Sequence, residues 1–506
     1  MNSSKLHFSN TAFNFSTNLA KSLISMIIGL VLTPFLVTWL GDDIFAQNRL
    51  LLDLFSYVGI FELGLVGAIY PLIINSLNNR DGDFDLYQVI SYSFRIFLKQ
   101  SFLLLVVSAV MFLFLNFFFN LSGPHLFPIQ MSWGIYSLIL ILFPINVLRI
   151  YFDSIQKISL INILLIVQLI VVQSLCAFLA WKGFGLIGQI SANVVGIFIL
   201  NILIIVFFLR SFDLTKLRKQ SLLKFEDFKK RVWELNWNSF AQSTSGKICL
   251  YTDNVLVGLF WGVSAVTPFF LCQKIVSIIQ QQLLSIGSSS WASLIDIWNS
   301  GDRSRFEEKI FESNKFIMIA SISFLVPVLV LNKLFIQVWI GLQYFSFEVT
   351  LFAIFVAIFQ SLISFWGWLL TGSGKLKSMT KPTLIYSGLN LCLSVLFSYY
   401  YKFGPLLGTV VALVFYYNWS LGAIICNEFR LQKLKFFMAV LQPILLGFIS
   451  YFVLNYGLSF FSFEATWVNL VVLSGISFVF MIMISVIILL NSRERKIWLR
   501  RFRLIK

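Results

Sequence analysis

The chain has 506 residues, of which 58% are hydrophobic and only 12% are charged, and its formal net charge is +16 at pH 7. Soluble globular domains carry about twice that share of charged residues, so the composition excludes a soluble domain and indicates a chain that folds in lipid. Backbone amides inside hydrocarbon must be paired within helices or closed barrels. Because the apolar runs exceed barrel strands of about 9 to 11 residues, we expect an all-α polytopic membrane protein with about fourteen transmembrane helices.

The spans follow from a rule of about 20 apolar residues per membrane crossing. The first six are predicted at residues 15–40, 45–74, 87–121, 132–152, 160–181 and 186–209. After a polar segment, the next six are predicted at residues 237–260, 266–291, 314–331, 347–370, 383–401 and 405–426. Two more are predicted at residues 436–454 and 467–490.

These spans predict five parts of the chain. They are an N-terminal lobe of six helices (1–210), a basic linker (211–235), a C-terminal lobe of six helices (236–430), helices 13 and 14 (431–490) and a basic tail (491–506). Residues 210–234 mix leucine and phenylalanine with many basic residues. This pattern suits a helix lying in the membrane interface, or a plain linker between the two lobes.

The distribution of lysine and arginine predicts the orientation, because cytoplasmic flanks retain positive charge. With a cytoplasmic N-terminus, outer loops contain only Lys182, Lys333 and Lys402 of the 38 basic residues. The opposite orientation would translocate the basic residues of 210–231 and of the tail. We therefore expect both termini to be cytoplasmic. The positive charge then attracts anionic lipid of the inner leaflet, and no nucleic-acid partner is expected.

Enzymatic and metal chemistry are not expected from this sequence. All loops predicted between spans are too short to hold a catalytic domain. The five cysteines lie within apolar runs without a CxxC pair, so we interpret them as small core residues, with no metal site and no cofactor.

The two predicted lobes begin alike. Residues 34–41 read PFLVTWLG and are followed by Asp42 and Asp43 and by a second helix that contains the sequence ELGL. Residues 251–262 read YTDNVLVGLFWG and are also followed by a short turn into a long helix. This similarity indicates a parallel repeat of six helices, an arrangement that places a cavity between two halves.

At these positions the chain resembles the multidrug/oligosaccharidyl-lipid/polysaccharide (MOP) superfamily, and within it the polysaccharide transporters that include Wzx-type O-antigen flippases. The resembling stretches are PFLVTWLGDDIF, FELGLVGAI, YTDNVLVGLFWGVSAVTPF and FIQVWIGLQY. The resemblance covers residues 1 to 430. It implies two six-helix lobes around a central cavity, with two further helices. It also implies a substrate, a sugar chain on a polyprenyl diphosphate, which moves from the inner to the outer leaflet of a bacterial cytoplasmic (inner) membrane.

Four basic residues fall within or at the edge of predicted spans, where an ionisable side chain needs a partner or an aqueous cavity. They are Lys21, Arg49, Lys247 and Lys274. Together they suit a ladder of positive charge for a diphosphate. Members of the superfamily often have arginines there, and lysine binds phosphate only as a point charge. Two alternatives stay open: Lys21 reaching the inner interface, and Arg49 pairing with Asp53 one turn away.

Three acidic residues lie in the same helices: Asp53, Glu62 and Asp253. Glu62 is surrounded by glycines 59, 64 and 67, small residues that permit close helix approach. Asp253 lies six residues after Lys247, about 240° around the helix, so these two do not share a face. An acid here is expected to bind a coupling ion, either a proton or sodium. A structural ion pair with a cation of another helix is the alternative.

Glutamines Gln280, Gln281 and Gln360 are candidates for glycan contact, although contacts between helices are the commoner role of such residues. The resulting hypothesis is a flippase that works by alternating access on a lipid-linked oligosaccharide, next to polymerase and chain-length components of a polysaccharide pathway. Its rivals are a lipid II flippase and a multidrug antiporter. A membrane glycosyltransferase is a further rival, because Asp42 and Asp43 suit a metal or acceptor site. Such enzymes have larger outer domains than this chain offers.

Overall fold

The computed structural model describes residues 2–77, 84–120, 126–213, 224–460, 463–492 and 494–495. All regular structure in these ranges is helical, and no strand occurs among them. The all-α membrane fold predicted from composition is thereby confirmed. Residues 214–223 of the predicted interfacial segment and most of the basic tail lie outside the described residues, whereas residues 225–234 form the start of a long helix, Phe225–Trp261.

The chain forms two compact units, Met1–Thr267 and Pro268–Lys506. The helices of unit 1 are α1 (Asn2–Val58), α2 (Leu65–Leu77), α3 (Leu86–Leu113), α4 (Leu115–Phe119), α5 (Phe127–Ser137), α6 (Asn146–Ser154), α7 (Ile158–Trp181), α8 (Gly185–Ser211) and α9 (Phe225–Trp261). A 3₁₀ helix, Leu138–Ile145, joins α5 to α6. The predicted N-terminal lobe ended at residue 210, whereas in the structure α9 packs against α1 and α2 within unit 1.

A short helix, α10 (Val266–Cys272), contains the boundary between the two units. Beyond it, unit 2 contains α11 (Lys274–Asn299), α12 (Arg303–Trp339), α13 (Phe347–Gly372), α14 (Leu376–Tyr400), α15 (Gly404–Ala412), α16 (Asn418–Phe429), α17 (Lys433–Ser459) and α18 (Trp467–Leu489). One π-helical turn, Leu413–Tyr417, connects α15 to α16.

Each unit has its own apolar core. In unit 1, one buried cluster includes Phe97 and Phe152, and another includes Leu50 and Trp133. The indole of Trp133 donates a hydrogen bond of 3.0 Å to the carbonyl of Ser108, so this large side chain is buried with its polar atom paired. In unit 2, a buried cluster including Ile322, Leu446 and Met481 joins α12, α17 and α18.

Eleven helices of the described residues are long and apolar enough to span a membrane, or twelve if the bent pair Val263–Cys272 and Lys274–Asn299 is one span. With the bent pair counted as one span, the difference from the predicted fourteen lies in two places. Ser16–Glu62 is one run in this count, although Gly41 kinks it with φ 75° and ψ 162°. Helix α9 is not in the count, since its charged and polar residues lower its hydropathy.

The second predicted span was wrong as a continuous helix over 45–74. A 3₁₀ turn, Gly59–Glu62, interrupts it, and Leu63 and Gly64 then take φ of 56° and 70° before α2 begins. The close approach of α9 requires a glycine at this break, since a Cβ on Gly64 would lie 2.8 Å from Cα of Phe240. The glycines around Glu62 thus allow the close approach predicted for them, at a break between two helices.

Cysteine burial agrees in part with the prediction that all five are core residues. Cys176, Cys272 and Cys426 are buried, and Cys249 is half-buried. For Cys392 the prediction was wrong, because its side chain is exposed on the apolar helix α14. An apolar run alone does not say which of its faces meets neighbouring helices.

Candidate functional site

A cavity of about 870 Å³ lies in unit 1, lined by residues of α1, α2, α6 and α7. Its polar lining includes Lys21, Tyr70, Arg149, Asp153 and Asn162. A volume of this size is within the range of small-molecule binding sites. The cavity therefore brings two cations and several hydrogen-bonding groups together within the first unit.

Lys21 extends from α1 toward α7 in this cavity. Its ammonium donates a hydrogen bond of 3.2 Å to Oδ1 of Asn162, whose Nδ2 donates in turn to Oγ1 of Thr17 at 3.3 Å. The charge of Lys21 also interacts with those of Arg149 and Asp153. The side chain of Lys21 is thus held among polar groups of the cavity wall.

Sequence reasoning missed Arg149, Asp153 and Asn162 as cavity residues. Arg149 and Asp153 lie one helical turn apart in α6, near the end of a predicted span, where a charge normally indicates a membrane flank. Their i, i+4 spacing predicts neighbours on one face. Only the packing of α1 and α7 places that face in the same cavity as Lys21.

A second polar group lies where α1 meets α9. Asp53 is only 1% exposed, and its Oδ2 is 3.2 Å from Nε of Arg49. The same oxygen accepts a hydrogen bond of 2.7 Å from Nδ2 of Asn254. The alternative role considered for Arg49, an ion pair with Asp53 one turn away, is therefore present in the structure.

Asp253 is close to this pair and has a different environment. Its Oδ1 is buried and has no hydrogen-bond partner among the described residues. Its charge interacts with that of Asp53. It is also near the neutral hydroxyl of Tyr57, which is 2.6 Å from Oγ1 of Thr252. Within the described ranges, Asp253 thus forms no ion pair, whereas its neighbour Asp53 is paired with Arg49.

Lys247 and Glu62 form an ion pair with each other. Nζ of Lys247 is 3.4 Å from Oε2 of Glu62, and it also donates to the carbonyl of Gly59. The 3₁₀ turn presents both groups to α9. Lys247 thus takes its partner from another helix, consistent with the expectation that it does not share a face with Asp253.

Lys274 and the glutamines belong to unit 2. Nζ of Lys274 is 5.3 Å from the ring centroid of Phe270, within range of a cation–π interaction. Gln280 donates a hydrogen bond of 2.6 Å to Gln360. This is a contact between two helices, the alternative role considered for these glutamines. Gln281 is exposed. Of the four cations in the expected ladder, Lys21, Arg49 and Lys247 lie in unit 1.

Several solved structures are similar to this chain. A lipid II flippase MurJ in an inward closed conformation aligns with a TM-score of 0.65 and 14% identity, over 92% of this chain and 97% of that one. An inward-facing multidrug resistance MATE family transporter of the MOP superfamily aligns with a TM-score of 0.58 and 14% identity, over 81% of this chain and 95% of that one. An outward-facing structure of a MATE family transporter gives a TM-score of 0.54 and 12% identity, over 82% and 96%.

These likenesses establish the fold of the chain, which is the helical fold shared by the flippase and the transporters compared. The proteins compared are a flippase and transporters. The sequence matches none of the protein-family models and none of the curated proteins with which it was compared.

Proposed function

We propose that this protein is a flippase that moves a polyprenyl-diphosphate-linked oligosaccharide from the inner to the outer leaflet of the bacterial cytoplasmic membrane. The export serves synthesis of a surface polysaccharide such as O-antigen or exopolysaccharide. Polymerase and chain-length components would be its partners, and both termini would be cytoplasmic. The MOP transporter fold is compatible with this function, and the resemblance of the sequence stretches to polysaccharide transporters favours it.

The observation that carries the proposal is the cavity with Lys21 and Arg149 in its wall. A diphosphate needs positive charge and hydrogen-bond donors inside a wet cavity, since charge is costly in lipid. Arg149 offers a planar fork that matches two phosphate oxygens, whereas Lys21 offers a point charge. Asp153 offsets one of the two charges, which leaves the three groups with one net positive charge.

The proposed transport needs no covalent chemistry. The headgroup would bind to the cations, the glycan would contact polar side chains of the cavity, and the lipid tail would stay in the bilayer. Alternating access would then carry the headgroup past Lys247 and Lys274 near the middle of the membrane, and last past Arg49 at the outer side. A diphosphate at Lys247 would compete with Glu62, because both anions would bind the same ammonium.

Two rival functions are found on the same fold, and the charge of the cavity argues against only one of them. A multidrug antiporter for cationic compounds needs an acidic cavity, and the excess of positive charge around Lys21 disfavours that cargo. A lipid II flippase handles the same diphosphate chemistry. Lipid II and the proposed substrate differ in their sugar chain, which the charge of the cavity does not select.

Deletion of the gene in the source bacterium tests the proposal. We expect a lipid-linked oligosaccharide of the surface-polysaccharide pathway to accumulate on the cytoplasmic leaflet, while growth and cell-wall synthesis continue. Re-expression of the wild-type chain should restore export. Accumulation of lipid II with cell lysis would instead identify a lipid II flippase. Normal lipid-linked intermediates together with increased drug sensitivity would identify an antiporter.

A further inference from the structure

A polar cavity of about 320 Å³ lies in unit 2, between α11 and α12, and shares no lining residue with the cavity around Lys21. We call it the hydroxyl pocket, because serines of both helices contribute to its wall. Its polar lining consists of Ser289, Ser290, Ser293, Lys309, Glu312 and Ser313. A volume of this size is within the range of small-molecule binding sites.

The packing of α11 directs two of these serines into the pocket. A Cβ on Gly287 would lie 3.1 Å from Cβ of Phe365, so α11 approaches α13 closely at this position. Ser289 and Ser293 follow Gly287 by two and six residues, which places them about 200° and 240° around the helix from it. Both are exposed and line the pocket. They therefore lie on the opposite side of α11 from its contact with α13.

The hydroxyl groups of α11 offer the pocket acceptors more than donors. Those of Ser289 and Ser290 donate to the carbonyl of Ile286, at 2.9 and 3.1 Å, and that of Ser293 donates to the carbonyl of Ser290 at 3.0 Å. A hydroxyl has one proton and two lone pairs. Because each proton is used within α11, the oxygen atoms present lone pairs to the pocket. A ligand that matches them must supply several O–H or N–H donors.

The charges of the pocket balance. Lys309 and Glu312 form an ion pair within α12, and their side chains are 28% and 18% exposed. They are the ionisable side chains among the described residues of its lining, so the lining has no net charge. The cavity around Lys21, by contrast, has one net positive charge. A charged pair requires a wet environment near lipid, and a neutral wet pocket favours a neutral polar ligand over a diphosphate.

From these properties we infer that the hydroxyl pocket binds a neutral saccharide. Sugars combine many O–H donors with apolar C–H faces. Ser289, Ser293 and Glu312 accept hydrogen bonds from the sugar hydroxyls, while the ring of Phe316, also in the lining, contacts an apolar face.

Binding of a saccharide stands on the pocket alone. Its assignment to the glycan of a lipid-linked substrate rests on the proposed function. Lys309 and Glu312 precede the predicted span 314–331, at its predicted cytoplasmic end. The glycan would therefore be held on the side from which the proposed substrate enters.

The experiment is calorimetric titration of the purified full-length protein in nanodiscs with three probes. Two are the neutral and acidic pools of oligosaccharides released by mild acid from the surface polysaccharide of the source bacterium. The third is geranyl diphosphate, a diphosphate without sugar. The wild type should bind the neutral pool. Ser289→Leu and Ser293→Leu each remove an acceptor and fill the pocket, and should weaken this binding by about 10-fold or more. Their affinity for geranyl diphosphate should stay that of the wild type.

Two further variants sharpen the test. Ser277→Leu is the matched control, because Ser277 is exposed on α11 outside the pocket lining, and it should bind the neutral pool like the wild type. Glu312→Gln leaves Lys309 without its anion and should shift the preference toward the acidic pool, which a merely structural role of Glu312 would not do.

The inference is overturned if the wild type does not bind the neutral pool, or if both leucine variants in the pocket bind it with wild-type affinity. Exclusive binding of the acidic pool by the wild type would also overturn it. Failure of the proposed function gives a different result. In that case the wild type binds the neutral pool but not geranyl diphosphate, and the saccharide pocket stands.

Discussion

Lys247 in α9 and Glu62 at the break between α1 and α2 form an ion pair, with Nζ 3.4 Å from Oε2. Both side chains are mostly buried, at 22% and 23% exposure. At this break the carbonyl of Gly59 accepts a hydrogen bond from the same ammonium. The pair thus joins an interrupted span to the helix that packs against it.

Loss of either partner of this pair should destabilise the protein. Lys247→Ala leaves Glu62 without its cation, and Glu62→Gln leaves the ammonium without its anion. We expect a double-mutant cycle to show a coupling of about 1 kcal/mol. The measurement is the midpoint of thermal unfolding of the two single variants and the double variant.

The matched control lies on the same helix. Lys229 and Glu226 form a pair at 3.5 Å, but their side chains are 45% and 75% exposed, and exposed pairs contribute little. Their cycle should therefore show a much smaller coupling. Equal coupling in the two cycles would contradict a special role for the contact between Lys247 and Glu62.

The cavity cations should determine the handling of the diphosphate. Lys21→Ala and Arg149→Ala each remove a charged donor from the cavity wall. A hydrogen bond to a charged group contributes about 1.5 to 3 kcal/mol, which corresponds to about a 10- to 150-fold loss in transport at low substrate concentration. The readout is the initial rate of flipping of lipid-linked oligosaccharide in proteoliposomes.

Two controls accompany these variants. Lys182→Ala removes an exposed lysine that stacks on Trp181, and its rate should equal that of the wild type. Lys21→Arg keeps the positive charge and should retain most of the activity. If both alanine variants, correctly folded, flip the substrate at the wild-type rate, the cavity is not the diphosphate site.

The break at Gly64 should not tolerate a side chain. Gly64 has a φ of 70°, and a Cβ there would come within 2.8 Å of the Phe240 backbone. Gly64→Ala should cost about 1 to 3 kcal/mol through backbone strain, with more from the clash. The measurement is Tm together with the yield of monodisperse protein.

Gly134 provides the comparison, since its Cβ would meet nothing within 4 Å and it lies inside α5. Gly134→Ala should be neutral or slightly stabilising, because alanine favours helices over glycine. An equal loss of stability in both variants would mean that the close contact with α9 does not explain the break.

The orientation of the chain is testable by labelling. Cysteines introduced by Ser3→Cys, Ser221→Cys and Ser492→Cys, each in a background without the native cysteines, should resist an impermeant thiol reagent in intact cells. The reason is that the opposite orientation would translocate most of the basic charge. Lys402→Cys, in a predicted outer loop, is the positive control. Labelling of Ser221→Cys or Ser492→Cys from outside would contradict the predicted orientation.

The sequence by itself determined the class of the protein and many of its local features. Long apolar runs require helices in lipid whatever their neighbours are, and this is why the all-α membrane fold was predictable. The pair of Arg49 and Asp53 was also accessible, because residues four apart in a helix are neighbours. The glycines around Glu62 indicated close helix approach for the same local reason.

Only the tertiary structure decided which polar groups meet across helices. The partner of Lys247 is Glu62 and that of Lys21 is Asn162, and each contact joins residues far apart in the chain. The charge balance that distinguishes Asp253 from Glu62 depends on the same packing. Hydrophobic periodicity places a residue in the membrane but does not specify the helix that it faces. That choice follows from backbone contacts such as the one between Gly64 and Phe240, which are made only when the helices pack.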